Sequence, residues 1–352
     1  MTDRPRQFAS DNQAGACPEV MDALARANQD HAPGYGADPL TERATGMLRE
    51  VFETDCGVFF VHTGTAANAL ALAGLCHPYN AVICEASAHI ETDECGAPGF
   101  FTPGMKLIPV RGDAGKLSPA VVEDAIARRS DVHANKPAVL SVTQATELGT
   151  VYDIDEIAAL ADAARRHHQF LHMDGARFAN AAASLGLSPR RLSWEAGVDV
   201  LCLGGTKNGA LGCEAILFFN RILARDFAYR LKQAGQLASK MRFLAAQWAG
   251  LLQDGVWLRN AGHANHMAGL LERELASCTP AILARYPRQA NAVFVSLPEA
   301  VCRGLRERGW EFYTDVSPDG AARFMCAWDT TETDVDALVI DITRLPHTVL
   351  TT

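Results

Sequence analysis

The feature that most constrains this chain is a repeated order. A short apolar run comes first, then a turn carrying polar groups, then an alanine-rich or amphipathic stretch. Residues 57–61, 81–84, 106–110, 138–142, 170–173 and 198–203 read as strands. A helix is expected after Pro18, another in the alanine- and leucine-rich run to Leu75, and a third after Ser118-Pro119. Asp153 and Glu156 have the spacing of a capping box for a helix to about His167. Strands alternating with helices over roughly 200 residues predict an α/β fold, a mostly parallel sheet covered on both faces.

In sheets of that kind, ligands lie beyond the carboxyl ends of the strands. Five polar clusters fall at those ends: His62-Thr63-Gly64-Thr65, His89, Glu147, Asp174 to Arg177, and Lys207. Thr63-Gly64-Thr65 opens a helix. It reads either as a phosphate site on free N–H groups or as an ordinary threonine cap. No Walker A pattern is present, and no GxGxxG follows a strand, so a nucleotide reading has little support.

Lys207 sits in Gly204-Gly205-Thr206-Lys207-Asn208-Gly209, between the apolar runs 198–203 and 215–219. An amine among glycines and between two core strands is poorly placed as a solvated charge. It is well placed for a Schiff base, because desolvation frees an amine's lone pair.

Composition removes other classes. A net charge of −9 without a basic run argues against a nucleic-acid partner. No apolar stretch nears the ~20 residues that span a membrane, and the first residues lack a signal-peptide core. Ten cysteines are scattered with no CxxC pair, which fits free thiols in the cytoplasm better than disulfides or a metal site. His167-His168 and His172 do not share a face, so no metal is expected. The expected division is an N-terminal arm (1–15), a large domain (16–255) and a smaller α+β domain (256–352) with short strands near 292–297 and 323–328.

Pyridoxal phosphate asks a protein for a lysine, a carboxylate for the pyridine nitrogen, donors for the phosphate and a group against the ring. Lys207, Asp174, Thr63-Gly64-Thr65 and His89 supply that set, and Arg177 has the fork geometry for a substrate carboxylate. The segments Ser10-Asp11-Asn12, Thr63 to Asn68, Ala88-His89, His172 to Arg177, Gly204 to Gly209, Gln233 to Arg242 and Ala322 to Met325 resemble the threonine aldolases, most closely the low-specificity L-threonine aldolases of bacteria. The likeness runs over nearly the whole chain.

That resemblance implies the aspartate-aminotransferase-like (type I) fold. It implies cleavage of β-hydroxy-α-amino acids such as L-threonine and L-allo-threonine to glycine and an aldehyde. Lys207 would hold the cofactor, Asp174 its ring nitrogen, and Gly64 and Thr65 its phosphate. His89 would stack on the ring near the substrate hydroxyl. Ser10, Arg177 and Arg323 would bind the substrate carboxylate, with Arg177 also close to the cofactor. Tyr35, Lys232 and Arg242 would reach a neighbouring subunit's site, in a homotetramer that shares its sites across a dimer interface. Many relatives carry a histidine where this chain has Glu147. His133 and Asp93 are the candidates to help His89 in its place. A β-eliminating lyase, a serine hydroxymethyltransferase and a nicotinamide-dependent dehydrogenase are the rival readings.

Overall fold

In the computed structural model, which describes residues 5–129, 131–278 and 283–345, the apolar runs form seven strands. They are β1 (Gly57–Val61), β2 (Asn80–Glu85), β3 (Lys106–Val110), β4 (Lys136–Thr143), β5 (Phe170–Gly175), β6 (Val200–Gly204) and β7 (Glu214–Phe218). One sheet holds them in the order β1-β7-β6-β5-β4-β2-β3. The β3-β2-β4-β5-β6 block is parallel, and β7 runs antiparallel to both of its neighbours. The carboxyl ends of β1, β4, β5 and β6 therefore share an edge with the amino end of β7.

The strands read as unbroken apolar runs because both faces of the sheet are covered. Along β6, Leu201 and Leu203 join a core with Phe52, Leu160 and Phe178, while Val200 and Cys202 join one with Leu70 and Leu72. That alternation is the period of two expected of any strand. The helix Gly64–Leu75 is apolar nearly all round, as its position against the sheet and neighbouring helices requires. Asp153 and Glu156 form the expected capping box on the helix Ile154–Arg166.

A second core lies under a small antiparallel sheet, β10-β9-β8, built from β8 (Leu283–Ala284), β9 (Ala292–Ser296) and β10 (Ala322–Met325). The helix Val256–Cys278 serves both cores, with Trp257 and Ala261 in the first and Met267 and Leu271 in the second. The start of the chain is stitched to the second core. Phe8 is buried against Trp310 and Phe324, and its backbone bonds Glu311 and Met325 at 2.8 Å each. The next few residues are thereby carried across to the edge of the large sheet. No helix among the described residues is long and apolar enough to cross a membrane.

Candidate active site

The shared sheet edge opens into a cavity of about 340 Å³ lined by Thr63, Gly64, Thr65, His89, Asp174 and Lys207 among others. An adjoining hollow of about 550 Å³ shares Asn12, His89, Asp93 and Lys207 with it and adds Ser10, Glu147, Arg177 and Arg323. The two form one cleft with two ends.

Lys207 rides on a single 3-10 turn, Thr206–Asn208, directly after β6. Its geometry needs glycine on both sides. A Cβ at Gly204 would lie 2.3 Å from the Ala176 carbonyl oxygen, and Gly209 leaves the turn at φ 103°. Below the turn, Glu214 at the head of β7 accepts from the Gly205 N–H at 2.6 Å. Burial pushes this carboxyl up to about 7, against the pull of hydrogen bonds from Thr206 and Gly205 and of the Lys207 charge.

Asp174 ends β5 and is buried. Its Oδ1 accepts from Ala176 N–H at 3.0 Å and its Oδ2 from Asn68 Nδ2 at 2.8 Å. The same Asn68 nitrogen donates to Glu94 Oε1 at 2.8 Å, and that oxygen lies 2.9 Å from His89 Nδ1. The hydrogen bond to Glu94 raises the His89 imidazole's proton affinity, and burial only partly opposes it. His89 Nε2 lies 3.6 Å from the exposed carboxylate of Asp93. His172, by contrast, is fully buried between Ser141 and Cys202, and burial lowers it to about 4. It is a neutral core histidine.

At the other end, Arg177 gives Nε and Nη2 to the buried carboxylate of Asp11, at 2.8 and 2.9 Å. Burial works against the guanidinium's charge, but Asp11, with Glu147 and Asp174 behind it, outweighs burial and holds Arg177 above its usual range. Its Nη1 edge remains, 4.0 Å from Glu147. Arg323 is buried with no carboxylate partner among the described residues. Its Nη2 bonds the Ala9 carbonyl at 2.9 Å and its Nε bonds nothing. Burial and the Arg177 charge both depress it. A buried guanidinium without a carboxylate partner among the described residues, beside a second cation, makes this end of the cleft electrostatically favourable to an anion.

Of the residues expected from sequence, Lys207, His89, Asp93, Gly64, Thr65, Asp174, Arg177, Ser10 and Arg323 meet in this cleft. His133 does not. It precedes β4 on an exposed turn, its N–H on Asp131 Oδ1 at 3.0 Å. The eight residues of β4 put it at the opposite edge, roughly 25 Å away at ~3.3 Å per residue. His133 is therefore removed as a proton carrier. Tyr35, Lys232 and Arg242 line neither end of the cleft within one chain. Lys232 lies over the exposed Tyr35 ring at 4.7 Å, and Arg242 Nη1 bonds the Asp30 carbonyl at 3.2 Å. Sequence reasoning missed Asp11, Asn68, Glu94 and Glu214. A carboxylate at the head of an apolar strand was a usable signal for Glu214, and Asn68 lies four residues past Gly64, one helical turn along.

The beta-eliminating lyase family model matches residues 7–298. The chain belongs to that family. It is 54% identical over 342 residues to the low-specificity L-threonine aldolase of a Pseudomonas species and 56% identical to that of Pseudomonas aeruginosa. Each alignment covers 97% of this chain and 98% of the relative. Its structure superposes on the Leishmania major threonine aldolase with a TM-score of 0.90 at 29% identity, covering 97% and 99% of the two chains. A Thermus thermophilus aspartate aminotransferase matches with a TM-score of 0.74 at 17% identity, covering 97% and 91%, and it shares the type I fold.

Pyridoxal phosphate is the cofactor of this family, and the cleft fits it. The first-turn amides of the helix Gly64–Leu75 have no partner within the helix, and Thr63 Oγ1 satisfies only that of Ala66. A Cβ built on Gly64 would meet nothing within 4 Å, so an anion can approach those amides. A buried carboxylate, an imidazole and an amine without a hydrogen bond or ion pair among the described residues complete the set. Lys207 would hold the aldehyde, Asp174 the ring nitrogen, and Gly64 and Thr65 the phosphate.

Proposed function

We propose that this protein cleaves L-threonine, L-allo-threonine and related β-hydroxy-α-amino acids to glycine and an aldehyde, with pyridoxal phosphate. The observation that carries the reading is the pairing of two cleft ends across Lys207. One end is built for the cofactor, the other holds an unpaired buried guanidinium for an amino acid's carboxylate. The Pseudomonas relatives support the reaction type.

The bound cofactor supplies an electron sink for the pair released when Cα–Cβ breaks. The chain supplies everything else. Asp174, oriented by hydrogen bonds from Asn68 and the Ala176 N–H, would hold the ring nitrogen. Arg323 and the free edge of Arg177, with Ser10, take the substrate carboxylate and so fix the direction of the Cα bonds. His89, its Nδ1 held by Glu94, takes the β-hydroxyl proton at Nε2. Loss of that proton turns the β-carbon into the aldehyde carbon as Cα–Cβ breaks, and a proton added at Cα in its place completes glycine. Asp93, 3.6 Å from His89 Nε2, and Glu147 bring negative charge to bear on His89.

The assembly belongs to the proposal. The Tyr35–Lys232 pair and Arg242 lie outside the chain's own cleft, with cationic and aromatic chemistry suited to a phosphate, and we assign them to a neighbouring subunit's site within a homotetramer. Ten cysteines without a disulfide, eight of them buried, support a cytoplasmic, reducing location.

The test is product analysis joined to reductive trapping. Purified protein given L-threonine should release acetaldehyde and glycine, and borohydride should fix the cofactor to the peptide containing Lys207. Ammonia and a 2-oxo acid in place of acetaldehyde would assign the chain to β-elimination. A trapped lysine other than Lys207 would overturn the site.

A further inference from the structure

Glu94 is not among the residues assigned to substrate or cofactor, yet it touches His89 directly. Its side chain is wholly buried. One oxygen, Oε1, lies at 2.9 Å from His89 Nδ1 and 2.8 Å from Asn68 Nδ2, and the other, Oε2, bonds nothing. A half-satisfied carboxylate in a dry site costs stability, and an apolar residue of similar size would avoid the cost. Burial accordingly raises the Glu94 carboxyl, though His89 and Asn68 pull it back. Asn68 repeats the pattern, since its Oδ1 also bonds nothing while its Nδ2 spans two carboxylates.

Donor accounting fixes the direction of the chain. An amide nitrogen can only donate, so Glu94 Oε1 and Asp174 Oδ2 both accept from Asn68. With one donor already on Oε1, a carboxylate there accepts a second from His89 Nδ1. The imidazole then has a single nitrogen left for chemistry. A stretch of four hydrogen-bonded side chains, His89-Glu94-Asn68-Asp174, joins the two groups assigned to the cofactor's face and its ring nitrogen.

We propose that Glu94 is a positioning residue that fixes His89 as an Nδ1–H donor, turns Nε2 to the reacting hydroxyl, and ties this setting through Asn68 to the Asp174 carboxylate. It rests on the reading of His89 as the proton carrier. The charges facing His89 are Glu94 and Asp93 from its own segment, Asp174 from β5, Glu147 from the loop after β4 and Lys207 from the turn after β6. Four are carboxylates and one is an opposing amine. Glu94 alone makes a direct hydrogen bond.

The experiment needs no turnover. In the apoprotein, His89 is partly exposed, its side chain 28% accessible, and diethyl pyrocarbonate attacks only its neutral form. The modification of the His89 peptide, followed by mass spectrometry against pH, gives the imidazole's midpoint. Glu94→Gln should lower that midpoint by about one unit and speed modification at neutral pH up to tenfold. Glu94→Asp should restore part of the shift. In the holoenzyme, the acid limb of kcat/KM should move down by the same amount, with kcat falling and KM for threonine changing less than threefold. An unchanged midpoint in Glu94→Gln overturns the proposal whatever the activity does. Retained kcat in His89→Gln instead overturns the proton-carrier reading and leaves the measured midpoint shift standing, so the two failures are distinguishable.

Discussion

Asp11→Ala is the substitution on which fold and site can be weighed together. Asp11 is 1% exposed and accepts two hydrogen bonds from Arg177 and one, at 3.0 Å, from Asn291 Nδ2. Burial alone would raise its carboxyl, but the Arg177 charge and hydrogen bonds win and hold it below the usual carboxylate range. Truncation leaves a guanidinium that is 6% exposed, with Glu147 at 4.0 Å and the more distant Asp174 charge in place of its hydrogen-bonded partner. Breaking a buried pair by removing one partner costs about 3–5 kcal/mol. For 352 residues the unfolding entropy is about 0.7 kcal/mol per degree, so the melting point should fall by roughly 4–7 °C. The arm 5–15 then loses its tie to the large sheet, and Arg177 loses the partner that aims its free edge, so KM for threonine should rise at least tenfold. Thermal melts of the apoprotein and steady-state kinetics read the two effects separately. In the double variant with Arg177→Ala, the losses should sum to less than the two singles, since each single strands the other's charge. A melting point within 1 °C of the parent, or additive losses in the double variant, would refute the reasoning.

Arg323→Leu should act in the opposite sense on stability. It removes a buried cation that bonds one carbonyl and leaves Nε idle, so the apoprotein's melting point should hold or rise, while KM climbs roughly 10- to 100-fold for loss of a charged hydrogen bond. A fall in melting point at unchanged KM would make Arg323 structural. Glu214→Gln should show a pH-dependent gain. The folded carboxyl sits near 7 against an ordinary 4.5, so the parent's folded state is favoured by protonation and loses that advantage as pH rises from about 4.5 through 7. The melting-point gap between variant and parent apoprotein should therefore widen between pH 5 and pH 8, and a constant gap would contradict the assignment. His133→Ala should leave kcat and KM within twofold of the parent, because the side chain lies at the far edge of the sheet. A tenfold loss of kcat would return it to the site.

What the sequence made legible divides along a physical line. The strands announced themselves because both sheet faces are dry, and the runs at β3 and β5 fell within a residue or two of their observed ends. Lys207, Asp174 and the Thr63–Thr65 turn were readable because a parallel sheet sends every strand's carboxyl end to one edge, so local pattern fixed their shared location. His133 misled for the same reason in reverse. It was a candidate to stand in for the histidine many relatives carry where this chain has Glu147, but it precedes β4 rather than following it, and direction along the strand decides which edge a residue serves.

Asp11 and Glu94 were hidden for a different reason, and it explains why the site's supports are harder to read than its contacts. Asp11 is delivered by the arm, whose path is set by Phe8 in the second core, some three hundred residues away in sequence from Phe324. Glu94 follows a four-residue helix with no side-chain cap, so nothing local says its carboxylate turns inward. A residue that meets a ligand must obey the ligand's chemistry and so belongs to a short menu of types. A residue that only aims another side chain obeys the packing around it, which long-range contacts decide. Glu147 joins the two cases. It stands at the strand edge where pattern places it, yet its effect comes through a 4.0 Å approach to Arg177 and its charge on His89. The carboxylates around His89 thus set the proton affinity of the imidazole proposed to take the hydroxyl proton, so the acid–base character of the cleft depends as much on these buried and facing acids as on the imidazole itself.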